Sequence, residues 1–177
     1  MSASVNPVSA EELAFSDQAA RDSGTVEYHA TADHSRMHHR LYYHLVWTTR
    51  DRAPLIDAGL AGFLCRFLRA MAARESAQIL EIGIVATHVH LLLRTEPVTE
   101  LPRLIQSLKG ASSRLGRKEG HSTSGKQLRW AQGYSLETVG QRQLQMVRDY
   151  LRRQPLHHPA EAISGWSGDI GGAETGP

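Results

Sequence analysis

Two histidines separated by one valine, His88-Val89-His90, are the sharpest chemical feature of the chain. On a strand, successive side chains face opposite ways, so His88 and His90 would share one face while Val89, Leu91 and Leu93 took the other. Two neutral imidazoles on one face can jointly bind a divalent cation through their ring nitrogens. The chain has 10 histidines, however, so one such pair also arises by chance, and a structural pair is the alternative. Tyr150 and Gln154 form a second pair. Four residues apart on a helix, they would be neighbours on one face. The Tyr150 phenol oxygen is a competent nucleophile for a polarised phosphodiester. The Gln154 carboxamide offers a neutral oxygen as a third ligand, suited to Mg²⁺ or Mn²⁺ with waters and a phosphate oxygen completing the shell. A tyrosine packed at a helix edge beside a solvated glutamine is the alternative here. Pro155 follows Gln154 directly and disfavours helical geometry at the residue before it, which predicts a frayed end with a loosely held carbonyl.

These side chains need elements to position them. Leu41 to Thr49 is β-branched and aromatic enough for a strand. Asp57 can cap a helix from about Ala58 to Ala77, with Leu60, Phe63, Leu64, Phe67, Leu68 and Met71 at helical spacing. Ile79 to Ala86 and Val89 to Arg94 read as strands joined by a tight turn. Thr99 can cap a second helix striped by Leu101, Leu104, Ile105, Leu108, Ala111 and Leu115. The Gly/Ser-rich segment Glu119 to Gly125 reads as a surface loop, and a short strand is expected over Ala131 to Leu136. A last helix starts near Gln141 and closes by Pro155. The order β-α-β-β-α-β-α predicts an α+β, ferredoxin-like split βαβ domain with an antiparallel sheet. Its crossover helices cover one face and leave the other for a site, and an extra C-terminal helix carries the tyrosine.

At 177 residues, with 41% hydrophobic residues, the chain suffices for one domain with one ordinary core. Residues 1–37 have no sustained apolar period and read as a disordered acidic tail; residues 159–177 read as a flexible C-terminal tail around a 38–158 domain. No apolar run approaches a bilayer-spanning length, and the N-terminus lacks the basic start and apolar stretch of a secretory signal. The single Cys65 cannot form an internal disulfide and reads as a buried, inert thiol. A prokaryotic cytoplasmic location is expected. The formal charge of +2 hides an asymmetry: Arg36 to His158 holds 19 Lys and Arg against 9 Asp and Glu, a balance of +10. A basic body between acidic ends fits either a polyanion site or a solvated surface.

Five blocks in order resemble one family. They are YHLVWTTRDRAPLI (Tyr43 to Ile56), THVHLLLR (Thr87 to Arg94), IQSLKGASSRL (Ile105 to Leu115), WAQGYSLETV (Trp130 to Val139) and VRDYLRRQPLHH (Val147 to His158). Together they resemble the REP-associated tyrosine transposases and small insertion-sequence transposases of the single-tyrosine HUH class. The resemblance implies His88 and His90 as the metal pair, Tyr150 as the nucleophile and Gln154 as a metal-binding glutamine. It places His44 in a supporting role in the first-strand block, and Lys109 and Arg114 in a helix near DNA; Arg50, Arg52, Arg117 and Lys118 are further candidate DNA contacts. Related sequences often carry an acidic residue where Pro155 stands here, and they share the His157-His158 pair, which reads as helix C-terminal partners or as exposed surface. The activity implied is metal-dependent cleavage of hairpin-flanked single-stranded DNA through a 5′-phosphotyrosine, followed by strand joining. A host-retained hairpin nuclease and a non-catalytic DNA-binding regulator are the alternatives. A homodimer, with the tyrosine helix serving a partner subunit, is a further expectation from the resemblance.

Overall fold

The computed structural model describes residues 39–118, 121–166 and 168. The expected acidic tail, residues 1–37, lies outside them. The β-branched run Leu41–Thr48 forms β1, followed by a single turn at Arg50–Arg52. Helix α1, Ala58–Arg74, starts where expected: the Asp57 carboxylate accepts a hydrogen bond from the Leu60 backbone N–H at 3.0 Å. Strands β2 (Ala77–Val85) and β3 (His88–Thr95) form a hairpin, and α2 spans Leu101–Lys118. Thr99 does not cap α2. Its hydroxyl closes the preceding loop instead, donating to Ser76 O and accepting from Glu96 N, while Glu100 O takes the first helical N–H, that of Leu104.

Strand β4 is Ser135–Thr138, later and shorter than expected. Gly133 at φ 80 breaks the extended run, leaving Trp130 as an isolated bridge to Thr49. The sheet order is β2-β3-β1-β4 with every neighbouring pair antiparallel. That is the split βαβ arrangement the alternation of elements implied. Val89, Leu91 and Leu93 join Leu45, Trp47 and the apolar stripes of α1 and α2 in the main core. Cys65 lies in that core, where burial pushes its thiol up to about 11.

The opposite sheet face carries the last helix. After a turn at Gln141–Gln143, α3 runs Leu144–Arg152 and packs on β2 and β3 through a second, small core of Leu92, Val139 and Leu151. Arg152 Nε donates to Glu81 Oε2 on β2 at 2.8 Å. The helix breaks at Arg153, one residue earlier than Pro155 suggested, and a short helix α4 (Gln154–His157) begins with the proline in its first turn. There the missing N–H costs nothing, because first-turn donors have no helical partner. Gln154 is consequently fully buried rather than frayed.

The supposed flexible tail also needs correction over residues 159–166. Pro159–Glu161 forms a turn whose Glu161 O accepts from Ala86 N at 2.8 Å, in the β2–β3 connection. Ile163 is buried, and Trp166 packs on the main core. Apolar residues there were too few to show a period, but enough to anchor the segment.

Gly83 on β2 permits the close approach of the α3–α4 junction. A Cβ there would lie 2.6 Å from Gln154 Cγ and 2.7 Å from Leu151 O. Gly83→Ala should therefore destabilise the protein by about 1–3 kcal/mol, the usual cost of overpacking, whereas Gly110→Ala, which meets nothing within 4 Å, should not. Thermal unfolding of the two variants checks this. The cap gives a pH-dependent counterpart. Burial would raise the Asp57 pKa, but hydrogen bonds from Ser122, Leu60 N and Ser124 hold it well below the carboxylate range. The unfolded chain binds this proton first, so the cap's contribution is full above the ordinary aspartate pKa and is lost as pH falls through the depressed folded value. Asp57→Asn keeps a capping oxygen but loses the charge that strengthens the bonds from Ser122 and Ser124, so it should lose roughly 1 kcal/mol at neutral pH and show a shallower fall in melting temperature below about pH 5.

Candidate functional site

The strand register sets the site. His90 pairs with Val46 on β1 and Gly83 on β2, and His88 pairs with Thr48 and Val85. Both histidines face α3, away from the main core, and both are buried, at 3% and 6% exposure. Their ring centroids are 4.9 Å apart. His44 reaches the same face from β1: its Nε2 lies 2.9 Å from His90 Nδ1, and the two rings stack. On the other side, His88 Nδ1 lies 2.9 Å from Thr87 Oγ1 and 3.2 Å from Glu161 Oε2.

Helix α3 brings Tyr150 to the pair, with its ring centroid 5.9 Å from that of His90 and 6.4 Å from that of His44. Tyr150 remains 38% exposed, so its ring bridges the buried imidazoles and the surface. His157 stacks on it at 4.8 Å. Gln154 lies beneath, fully buried, with its carboxamide directed to His88 and neither amide atom in a well-formed hydrogen bond.

Burial sets the charge state. It lowers the pKa of His44 and His88 and, reinforced by the neighbouring imidazoles of His88, His44 and His158, pushes His90 down to about 3. The rings are therefore neutral at physiological pH, the form that ligates metals. Several buried polar atoms here have no hydrogen-bond partner of good geometry: His90 Nε2, both amide atoms of Gln154, and Glu161 Oε2. Buried polar groups are ordinarily satisfied, and a cluster of unsatisfied N and O donors fits a divalent cation. Ligand atoms of His88, His158 and Glu161 also lie within 4.8 Å of one another.

The basic candidates divide. Arg50 and Arg52 are exposed in the turn after β1, where Asp51 and Arg52 hold left-handed backbone angles, φ 57 and 50. Arg52 Nη2 donates to Glu161 Oε1 at 3.3 Å, beside His88. Lys109, Arg114, Arg117 and Lys118 belong to α2, on the sheet face away from the histidines. Arg114 and Arg117 are exposed, with Arg117 Nε donating to Ser113 O at 3.1 Å. Lys109 is half-buried, and its ammonium donates to Ala131 O at 3.0 Å and to Gly133 O. Sequence reasoning missed Glu161 and gave His157 and His158 no part in this site. An acidic residue three positions after a His-His dipeptide is the signal the sequence offered, in a segment whose composition reads as a tail.

The family model described as "Transposase IS200 like" matches residues 37–154, and the chain belongs to that family. The chain is 34% identical over 76 residues to the ISDra2 transposase TnpA of Deinococcus radiodurans, a match covering 43% of this chain and 54% of the relative. The matched segment thus spans about half the length of that curated relative. Among solved structures, a Deinococcus radiodurans protein assigned as a transposase aligns with a TM-score of 0.53 and 26% identity, over 67% of this chain and 94% of that one. A REP-associated tyrosine transposase bound to a REP hairpin aligns with a TM-score of 0.53 at 11% identity, over 70% and 72% of the two chains, and so shares the fold. No helix among the described residues is long and apolar enough to cross a membrane.

The two carbonyl contacts of Lys109 predict a structural role. Lys109→Met should cost about 1–2 kcal/mol through unsatisfied carbonyls and leave the salt slope of DNA binding unchanged. Thermal melts and salt titrations of binding separate the two effects.

Proposed function

We propose that this transposase-family protein cuts and rejoins single-stranded DNA flanked by a hairpin, with Tyr150 as nucleophile. The observation that carries the reading is the half-exposed Tyr150 ring held 5.9 Å from the buried, neutral His90 on the same sheet face. His88, His90 and Gln154 would hold a divalent cation, Mg²⁺ or Mn²⁺, which when bound polarises a phosphate oxygen and stabilises the charge developing there.

The chain's own groups account for the rest. The Tyr150 phenol oxygen attacks phosphorus, giving up its proton; the bond from phosphorus to the 3′ oxygen breaks, and that oxygen takes a proton. The products are a 5′-phosphotyrosine and a free 3′ hydroxyl. A 3′ hydroxyl attacking such a phosphotyrosine reverses the exchange, so strands rejoin without a nucleotide cofactor. His44, in contact with His90, fixes that ring's orientation; Arg52, paired with Glu161 beside His88, and Arg50 in the same turn are candidate phosphate contacts. Single-stranded substrate suits an exposed nucleophile, because unpaired bases and backbone can approach it and expose edges for recognition. Action on the cell's own DNA implies a cytoplasmic protein, and a homodimer belongs to the same reading.

Incubated with labelled hairpin DNA and Mn²⁺, the wild-type protein should form a covalent adduct that mass spectrometry locates on Tyr150. Tyr150→Phe keeps the ring and removes the oxygen, so undiminished adduct in that variant would sink the proposal. His88→Ala and His90→Ala should abolish cleavage yet bind hairpin DNA in EDTA much as wild type does. Gln154→Ala should raise the Mn²⁺ concentration needed for cleavage and be rescued by excess metal.

A further inference from the structure

His158 and Glu161 lie beyond residues 37–154, the span that the family model matches, yet both reach His88. Glu161 arrives there because its backbone is tied to the β2–β3 connection through Ala86 N. Its carboxylate faces three neighbours: Arg52 Nη2 at 3.3 Å, His88 Nδ1 at 3.2 Å and His158 Nδ1 at 3.8 Å. It also interacts with the Thr87 hydroxyl, whose oxygen lies 2.9 Å from His88 Nδ1. One hydroxyl can accept from an imidazole N–H while donating to a carboxylate. His88 Nδ1 thus has two oxygens beside it, Thr87 Oγ1 at 2.9 Å and Glu161 Oε2 at 3.2 Å, while Arg52 holds the carboxylate's other oxygen.

We propose that Glu161 is the positioning residue of the metal centre: acting with Thr87, it holds His88 with Nδ1 protonated and leaves Nε2 for a divalent cation. The inference rests on the metal reading of the site given above. His90 shows the same arrangement from the other side, with Nδ1 engaged by His44 and Nε2 buried without a partner. Both rings thus have their Nδ1 side occupied by neighbouring residues, which leaves the two Nε2 atoms as the pair that can converge on one ion. A carboxylate beyond a ligating histidine fixes its tautomer and raises its basicity, and loss of such a partner typically weakens metal binding about 10–100-fold.

The test uses the full chain. Mn²⁺ affinity is measured by titration calorimetry for wild type, Glu161→Gln, Glu161→Ala, Thr87→Val and His158→Ala. The His88 tautomer is read from ¹⁵N imidazole shifts of metal-free protein, and circular dichroism checks folding. The expected result is an Nδ1-protonated His88 in wild type, its loss in Glu161→Ala, and Mn²⁺ affinity at least about tenfold weaker in both Glu161 variants. Glu161→Gln keeps the shape of the side chain, so weakening there reports the lost charge. His158→Ala should stay within about twofold of wild type. Affinity unchanged in both Glu161 variants would overturn the proposal. So would a loss matched by His158→Ala with the His88 tautomer unmoved, because that pattern marks direct ligation by Glu161 and His158. Wild-type protein that binds no Mn²⁺ would instead remove the metal reading itself, an outcome visible before any variant is compared.

Discussion

Strand β3 is hydrogen-bonded along both edges, to β1 and to β2, and everything chemical in this protein depends on that double ladder. A strand's side chains alternate with a period of two, so one register decides which set of residues meets the core. Here Val89, Leu91 and Leu93 enter the main core while His88 and His90 face α3. A slip of one residue would bury imidazoles among leucines and expose the leucines, and it would have to break two ladders to do so. The histidine pair is consequently held by a central strand paired along both edges, not by a loop.

Holding polar atoms in such a place has a cost. A buried donor or acceptor without a partner destabilises a protein by about 1–3 kcal/mol, and this site contains several. They persist because the surrounding elements over-determine their positions: Gly83 lets the α3–α4 junction press Gln154 onto β2, Arg152 ties α3 to Glu81, and Ala86 fixes Glu161. Burial in turn keeps the imidazoles neutral. The features that cost stability are thus the ones that leave the nitrogens neutral and unpartnered, as the proposed metal site would require.

The fold was legible because its signals are local and repeated. Alternation in β3, the stripes of α1 and α2 and the Asp57 cap each specify one element, and their order leaves few ways to arrange a sheet. The gathering of His88, His90, Tyr150 and Gln154 was legible through their spacing and the family's motif blocks. Less visible was anything depending on a single long-range contact. Pro155 correctly signalled a break, but burial against Gly83 moved that break to Arg153 and ordered Gln154. Lys109 looked like a surface cation, yet two carbonyls from a loop more than 20 residues away hold it. Glu161 sits in a segment with too few apolar residues to show a pattern, and one backbone hydrogen bond brings it to the site.

The two halves of the site are held with unequal strength. The histidines belong to a sheet backed by a large core, whereas Tyr150 rides on a nine-residue helix held by the small cluster of Leu92, Val139 and Leu151, with Leu144 and Val147 packed against it, and by the Arg152–Glu81 ion pair. Local opening draws on the least buried apolar area first, so the smaller core beneath α3 makes the tyrosine helix the more readily displaced of the two parts. Within one chain, Tyr150 already lies against its own histidines. On the proposed function, a tyrosine joined to DNA would have to carry that strand while the other participants in joining are exchanged. A helix on a small core carrying the tyrosine, over a strand in the main core carrying the histidines, would separate those two demands, with Gln154 at the α3–α4 junction joining the two halves.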